Sequence, residues 1–173
     1  MHPLEVQEAL HNMVIQVDTR EQDTPAFRAR VKQFGCPIER VKLDYGDYTA
    51  RTVLPDGRGF SLADKVTIER KMNLDELCQC YTKGRDRFQR EFQRAIKDGA
   101  KTILLVEQAS WKQAFEGNYR SQLSANALTA SMLAWGERYN VHNYFCTPDV
   151  TGKLIYKILY YAMKERLERG EAV

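Results

Sequence analysis

The segment that decides the fold reads Tyr48-Thr-Ala-Arg-Thr-Val-Leu54, then Pro55-Asp-Gly-Arg-Gly59, and ends in Lys65-Val-Thr-Ile-Glu-Arg-Lys71. Its first and last pieces read as strands and its middle piece is rich in turn residues, a pattern that predicts a β-hairpin. A hairpin centred on Arg58 places Asp47 opposite Glu69. Because side chains alternate along a strand, Lys71 then shares a face with Glu69. The sequence predicts that Asp47, Glu69 and Lys71 converge, in a register that so loose a turn leaves open by a residue or two.

Two carboxylates beside a lysine are the groups that a metal-dependent phosphodiesterase needs. Carboxylate oxygens bind hard cations, and an ammonium orients the attacking water or helps to deprotonate it. The alternative is a solvated charged face, because Val66 and Ile68 alternate with Thr67 and Glu69 and so place the acid on the outer face of a half-buried strand. The triplet that ends in Lys71 does not by itself decide between the two.

Further motifs follow in order along the chain. They are Val17-Asp-Thr-Arg-Glu21 after an apolar strand, Leu43-Asp-Tyr-Gly-Asp-Tyr48, Ile68-Glu-Arg-Lys71, Asp75-Glu-Leu77, and Gly84-Arg85 followed by Gln89. This series resembles the nuclease domain of the XPF-type structure-specific endonucleases, whose signature is Gly-Asp, then Glu-Arg-Lys, then an Asp four residues after the lysine. The resemblance runs from about Met13 to Lys164, and the nuclease domain is expected to span residues 13–169 behind an N-terminal extension of residues 1–12. It implies a restriction-endonuclease-like core and cleavage of branched or junction DNA in DNA repair or recombination.

The resemblance also implies roles for the central residues. Asp47 and Glu69, helped by the backbone carbonyl of Arg70, are expected to bind Mg²⁺ or Mn²⁺. Lys71 is expected to position the water or to stabilise charge on the phosphate. Asp75 is expected to hold Lys71 or a metal-bound water.

Acids at other strand ends are further candidates. Asp18 and Glu21 follow a buried strand, where α/β folds place their sites. The resemblance makes them auxiliary acids, either as support or as part of a second metal position. Arg20 between them is expected to contact phosphate or to brace these acids. Glu107 at the end of another apolar strand either approaches the same edge or, as expected here, is a surface acid.

A basic helix from Arg85 to Asp98 is the predicted DNA-binding element. Its core face is defined by Phe88, Phe92, Ala95 and Ile96. Arg87 and Arg90 lie on the opposite side, where they form either a solvated face or a row of phosphate contacts. Arg85 and Gln89 match the Gly-Arg…Gln motif, which implies a place beside the active site. The alternative for Arg85 is an ion pair with Asp75 or Glu21.

Composition agrees with one globular domain. The chain has 173 residues, of which 43% are hydrophobic and 28% charged, and a net charge of +3, which permits a polyanionic partner without requiring one. Its four cysteines lack a paired spacing, which favours a reducing compartment. Apolar runs long enough to span a membrane and a signal peptide are both absent from the sequence, which predicts a soluble, cytoplasmic protein.

Alternation of helical and strand patterns predicts an α/β fold, a mixed sheet flanked by helices. Beside the central hairpin, strands are expected at 13–17, 102–107 and 141–146, with a strand-like segment at 38–45. Helices are expected at 3–12 on the exterior, 25–34, from Leu74 with Asn73 as its cap, and at 85–98, 121–139 and 149–169. Only one helix follows the last strand, so no helix-hairpin-helix domain is expected.

Two questions stay open at this level. The alternative function is a catalytically silent DNA-binding module, like the inactive partners in heterodimers of this family, although such partners have lost motif acids that this chain keeps. A basic α/β protein without a nucleic-acid role would require the ordered motifs to match by chance. The second question is whether the chain forms a homodimer. An apolar stripe on the last helix suggests one, formed by Leu154, Ile158, Tyr161 and Ala162 and widened by Tyr156 and Tyr160.

Overall fold

A seven-stranded mixed sheet forms the centre of the computed structural model, which describes residues 1–172. The strands are β1 (Val14–Asp18), β2 (Ile38–Val41), β3 (Tyr48–Val53), β4 (Gly59–Ser61), β5 (Val66–Lys71), β6 (Lys101–Glu107) and β7 (Val141–Cys146). Their order is β2-β1-β3-β5-β6-β7, with β4 paired to β3. β1 and β2 are parallel, as are β5, β6 and β7, whereas β3 is antiparallel to its neighbours.

Helices flank this sheet, which confirms the predicted fold class. They are α1 (Pro3–His11), α2 (Pro25–Lys32), α3 (Leu74–Tyr81), α4 (Arg85–Lys97), α5 (Trp111–Glu116), α6 (Ala125–Tyr139) and α7 (Thr151–Glu168). Asn73 caps α3 as predicted, since its Oδ1 accepts a hydrogen bond from the Glu76 N–H at 2.8 Å. None of the helices within residues 1–172 is long and apolar enough to cross a bilayer.

Strand β6 separates two hydrophobic cores. Ile103 and Leu105 join the core that includes α1, α2 and α7, while Leu104 and Val106 join the core formed with α3, α4 and α6. A strand with parallel neighbours on both sides is normally buried on both faces, which explains its uninterrupted apolar run. The acids and bases that end β5 and β6 therefore emerge from paired strands next to both cores.

The first helix is part of the fold rather than an exposed extension. Val6, Ala9 and Leu10 are buried in the same core as α7. The hydroxyl of Thr52 in β3 donates a hydrogen bond to the carbonyl of Ala9. The expectation of an exposed helix is therefore wrong for one side of α1, because that side covers the edge of the core between β3 and α7.

The central hairpin is interrupted by a short strand that the sequence did not predict. Thr52 of β3 pairs with Phe60 of β4, and segment 62–65 then makes a turn before β5 begins. β5 rejoins β3 with Tyr48 opposite Ile68. This is the register that places Asp47 opposite Glu69, so the predicted pairing holds at the end of the hairpin that matters.

The region between β6 and α6 differs from the expectation. A short helix, α5, begins after Ser110 and ends at Gly117, which has a φ of +66°. The long helix begins at Ala125 rather than at Ser121, with Ser124 as its cap. The residues before it form a loop whose backbone N–H groups are bound by a side chain of α3, described below.

Candidate active site

Asp47 is fixed through its backbone at the junction of three strands. Its N–H donates to the Ile68 carbonyl of β5 at 2.8 Å, and its carbonyl accepts from the Asp18 N–H of β1 at 2.9 Å. The preceding Gly46 has a φ of +72°, and a Cβ added there would lie 1.9 Å from Oγ1 of Thr67. A residue other than glycine is excluded both by this conformation and by this contact. The direction of the Asp47 side chain is therefore set by the sheet itself.

Glu69 and Lys71 join Asp47 on one face. Nζ of Lys71 lies 2.6 Å from Oε1 of Glu69, and the Arg70 N–H donates to Oδ2 of Asp47 at 2.8 Å. The side chains of Glu69 and Lys71 are 8% and 11% exposed, while Asp47 is half-buried. The structure thus brings together the three residues that the hairpin register placed on one patch.

These carboxylates repel each other in a poorly solvated place. Burial raises the pKa of Asp47 well above its ordinary value, and the charges of Glu69 and Glu21 raise it further against the opposing effect of Lys71. Burial also raises the pKa of Glu69, where the charge of Lys71 opposes the rise and that of Glu91 adds to it. A bound cation would offset both the cost of burying these carboxylates and their mutual repulsion, because it favours the ionised form of every acid near it.

Arg70 is held by a bidentate pair with Glu107. Its Nε and Nη2 lie 2.8 and 2.9 Å from the two carboxylate oxygens of Glu107. Glu107 is only 3% exposed, so the expectation of a surface acid is wrong. A planar guanidinium locked by a carboxylate fixes the β5 backbone beside it, and that backbone holds Asp47. The role of the Arg70 carbonyl as a metal ligand stays a prediction.

Glu21 belongs to a buried network next to the patch. Its Oε2 accepts from the Tyr48 hydroxyl at 2.8 Å and lies 3.5 Å from Nη1 of Arg30. The same Nη1 donates to the Tyr48 hydroxyl at 2.8 Å, and Nε of Arg30 lies 3.9 Å from Glu107. Glu21 is therefore close enough to act on Asp47 electrostatically, while its own carboxylate is engaged by neighbours.

Asp18 organises the loops at the end of β1. Its carboxylate is fully buried and accepts from the Arg20 N–H at 2.8 Å, the Arg20 Nε–H at 2.6 Å and the Leu43 N–H at 2.8 Å. Burial works against the ionised form, but the hydrogen bonds from Arg20 and Leu43 outweigh it and lower the pKa of Asp18. The contacts observed make Asp18 a support for Arg20 and for the segment that leads to Asp47.

Asp75 lies in the first turn of α3 and binds a loop. Its Oδ1 accepts from the N–H groups of Arg120 and Ser121, both at 2.8 Å. These contacts replace the expected one with Lys71, whose ammonium faces Glu69. The helix predicted from Ser121 starts later, where Ser124 has an extended backbone and its hydroxyl accepts from the Ala127 N–H as the cap of α6.

Arg85 and Gln89 of α4, which match the Gly-Arg…Gln motif, contact neighbouring helices in this structure. Arg85 donates to the Tyr81 carbonyl at 3.3 Å, and its guanidinium lies 5.0 Å from the ring centroid of Trp135. This contact takes the place of the expected ion pair with Asp75 or Glu21. Gln89 donates to the Tyr139 hydroxyl at 2.7 Å. Both residues therefore anchor α4 to the helices behind it.

The opposite face of α4 is exposed. Arg87 and Arg90 lie at the surface, and Arg87 also lines the cleft beside Lys71. Ile96, expected in the core, is 37% exposed, so that expectation is wrong. The predicted core face is otherwise confirmed, since Phe88, Phe92 and Ala95 are buried.

A cleft of about 670 Å³ opens between β5, α3 and α4 beside the three central residues. Glu69, Lys71, Cys80, Lys83, Arg87 and Glu91 contribute to its walls. Glu91, which sequence analysis missed, is only 9% exposed. At 100° per residue it falls next to Phe88 and Ala95 on the apolar side of the helix. An acid in that position was the available signal, because a buried charge needs a partner.

The donor set fits a hard divalent cation with few protein ligands. Within residues 1–172 no three His, Cys, Asp or Glu side chains are arranged so that they could hold a metal ion. Mg²⁺ commonly binds through one or two carboxylates together with waters and substrate phosphate oxygens, rather than in a cage of side chains. Asp47 and Glu69 meet that requirement, and their mutual repulsion is the electrostatic signature that such an ion would relieve.

Comparison with known proteins assigns most of the chain, including the cleft residues, to one family. The family model described as the ERCC4 domain matches residues 17–158. That range includes Asp18, Asp47, Glu69, Lys71 and Glu107. A search of curated proteins gave no match.

Two solved structures share the fold. One is titled XPF from Aeropyrum pernix, with a TM-score of 0.63, 19% identity, and coverage of 91% of this chain and 69% of that one. The other is titled XPF from Aeropyrum pernix, complex with DNA, with a TM-score of 0.62, 20% identity, and coverage of 89% of this chain and 66% of that one. At this identity the likeness establishes the architecture, and the chemistry has to be argued from the cleft.

Proposed function

This chain belongs to the ERCC4 domain family, and from that membership and the geometry of its cleft we propose that it is a divalent-metal-dependent DNA endonuclease. The observation that supports this most is the convergence of Asp47, Glu69 and Lys71 at the end of β5, where two acids with raised pKa values lie beside an ammonium. Such a constellation is unfavourable for a purely structural surface, because its acids repel each other and are poorly hydrated.

Asp47 and Glu69 would hold Mg²⁺ or Mn²⁺, helped by the backbone carbonyl of Arg70. When bound, the ion would activate water and neutralise charge on the phosphate. The sheet contributes rigidity to this site. Asp47 is tied to β1 and β5 through its backbone, and the neighbouring Arg70 is clamped by Glu107.

Lys71 would stabilise negative charge that develops on the phosphate during cleavage. Its ammonium is already in a water-poor cleft, 5.4 Å from the ring centroid of Phe88 and in contact with Glu69. A preoriented cation in such a place stabilises a transition state more strongly than it does in water, because the local dielectric constant is low.

The remaining candidates would support this centre. Asp18 would hold Arg20, Glu21 would tune Asp47 through its charge, and Asp75 would fix the loop before α6. Arg20 would contact phosphate, since its side chain is 49% exposed while its Nε is held by Asp18.

DNA would lie across the cleft and along α4. Arg87 and Arg90 are exposed on that helix, and Lys83 lines the cleft at its beginning. Arg85 and Gln89 would act by fixing α4 against α3 and α6. The preferred substrates would be branched or junction DNA, a proposal supported by the motifs that the chain shares with structure-specific endonucleases.

A cleavage panel tests the proposed function. Labelled flap, fork, four-way junction and linear duplex DNA are incubated with the protein and Mn²⁺, with Asp47→Asn as the matched inactive control. Metal-dependent cleavage of branched substrates by the wild type alone supports the proposal. DNA binding without cleavage of any substrate would support the catalytically silent module instead.

We also propose that two copies of the chain form a homodimer through the outer flank of α7, beside the side that makes the core contacts. Ile155, Leu159, Met163 and Leu167 make the core contacts. Leu154 and Ile158 are half-buried beside them, and Tyr161 is 52% exposed. Two copies related by a twofold axis would cover this flank.

A further inference from the structure

Glu91 makes a contact that the proposed chemistry does not yet use. It lies in α4, is 9% exposed, and places Oε1 at 3.5 Å from Nη1 of Arg20. Arg20 comes from a different element, the segment just after β1, where its Nε donates to Asp18 at 2.6 Å. One guanidinium is therefore held by carboxylates from two separate elements.

The position of Glu91 is unfavourable unless this contact has a role. Its neighbours on the helix include the buried Phe88 and Phe92, and an acid in such surroundings loses hydration. Its charge also works against the ionised form of Glu69, in addition to the larger effect of burial and against that of Lys71. A negative charge in a cleft that receives DNA repels phosphate as well. These disadvantages are offset if Glu91 fixes a group that the reaction needs.

Arg20 has the exposure and the donors to be that group. A guanidinium carries five N–H donors in a fixed fork, of which one is bound by Asp18 and another faces Glu91. The side chain is 49% exposed, which leaves room for a further ligand at the guanidinium. Its charge is felt by Glu69 as well as by Asp18, and that of Asp47 is felt by Arg20. The guanidinium thus stands close to the acids that would bind the metal.

We propose that Glu91 is a positioning residue that, together with Asp18, holds the Arg20 guanidinium between α4 and the end of β1 so that its other donors meet a phosphate next to the scissile bond. Asp18 fixes Nε, and Glu91 fixes the rotation of the fork about the Nε–Cζ bond. The inference rests on the proposed function and adds a residue that connects α4 to the chemistry at β5.

Kinetics of Glu91→Gln test this role, because glutamine keeps the shape and removes the charge. Cleavage at saturating DNA should fall by about tenfold to a hundredfold, the range expected when a positioned group is misplaced. DNA affinity should stay equal or increase, since a negative charge near phosphate is lost. Asp86→Asn is the matched control, because it makes the same charge change at an exposed position of the same helix. It should leave cleavage at saturating DNA unchanged, and any gain in DNA affinity from the lost negative charge should appear in both variants.

A double-mutant cycle with Arg20→Ala separates positioning from general stability. If Glu91 acts through Arg20, Glu91→Gln should cause no further loss of cleavage in the Arg20→Ala background. Additive losses in the double variant would overturn the positioning role. A wild type that binds DNA but cleaves none of the panel would instead overturn the proposed function, so the two failures are distinguishable.

Arginine side-chain NMR gives a readout that needs no cleavage. In the wild type, restricted rotation should give separate Nη resonances for Arg20, assigned with Arg20→Lys. Glu91→Gln should merge or broaden these signals while the Nε resonance held by Asp18 remains, and Asp86→Asn should change neither. Nη signals that are the same in Glu91→Gln and in the wild type would show that Glu91 does not restrain Arg20, and the inference would then be wrong.

Discussion

The ammonium of Lys71 lies 2.6 Å from Oε1 of Glu69, two positions away on the same face of β5. Both side chains are almost fully buried in the wall of the cleft. Breaking a buried ion pair leaves the surviving charge without compensation. Substitutions at either residue therefore report on chemistry only when folding is measured alongside.

Lys71→Ala should reduce cleavage by roughly 10²–10³ with little change in DNA affinity. The lysine would act mainly on the charge that develops in the transition state, whereas binding depends on many phosphate contacts. Single-turnover cleavage and fluorescence-anisotropy binding measure the two effects. A loss of binding in proportion to the loss of cleavage would contradict this assignment, and a thermal melt excludes unfolding as the cause.

Cleavage should require Mg²⁺ or Mn²⁺ and should stop in EDTA, because Asp47 and Glu69 are oxygen donors suited to hard cations. Ca²⁺ should bind but support little turnover, since its larger and looser shell places the water differently. Asp47→Asn should abolish cleavage and leave DNA binding equal or tighter. Cleavage that persists in EDTA would show that these two acids are not metal ligands.

Arg87→Ala combined with Arg90→Ala should weaken DNA binding and flatten its dependence on salt. Each lost phosphate contact lowers the slope of log K against log salt by about 0.9 for duplex DNA. Cleavage at saturating DNA should survive. The control pair Arg58→Ala and Arg169→Ala removes the same charge from a hairpin turn and from the residue after α7. Equal effects of both pairs would show only a general influence of net charge.

Asp18→Asn should destabilise the fold at neutral pH by roughly 2 kcal/mol, since an amide has one acceptor oxygen for three N–H donors. Because the pKa of Asp18 is lowered in the folded state, its contribution is complete above the ordinary aspartate pKa and disappears as pH falls through the folded one. The difference in Tm should therefore be about 4–8 °C at pH 7 and should shrink progressively as pH is lowered below the ordinary aspartate pKa.

The control for this experiment is Asp23→Asn. Asp23 also binds an arginine, with Nε of Arg28 at 2.8 Å, but both side chains are more than half exposed. Exposed pairs of this kind contribute little to stability. A Tm change at Asp23 as large as at Asp18 would refute the explanation by burial.

A dimer through the outer flank of α7 should be visible by light scattering below about 100 µM, because an interface of standard size usually binds more tightly than that. Tyr161→Glu places a charge on each copy at the contact and should give a monomer. Leu4→Glu is the control, since Leu4 is also exposed but lies on α1. A wild-type mass that stays monomeric over the whole range would exclude the dimer.

Sequence periodicity was sufficient for every strand except β4 and for the pairing that forms the central patch. The family match over residues 17–158 confirms the resemblance seen in the motifs. Asp47 could be placed opposite Glu69 because both depend on one local hairpin, and the short strand β4 did not disturb the pairing of Tyr48 with Ile68. Local pairing of this kind is encoded in turn residues and alternation, both visible in the sequence.

The partners of the charged side chains could not be predicted in the same way. Glu107 looked like a surface acid because its partner, Arg70, lies on another strand. Glu91 was hidden for the same reason, since Arg20 approaches it from β1. Asp75 binds backbone N–H groups of Arg120 and Ser121, which are far from it in the sequence. These contacts depend on how elements pack, and periodicity within one element does not record that.

Gly46 limits how this protein can change. The space for a Cβ at position 46 is filled by Thr67. A side chain at this position would therefore displace Asp47 even though the aspartate itself is unchanged. A protein engineer who moves this site to another scaffold must transfer Gly46, Asp47 and Thr67 as one unit. For the same reason the position of Asp47 cannot be adjusted stepwise through substitutions at Gly46.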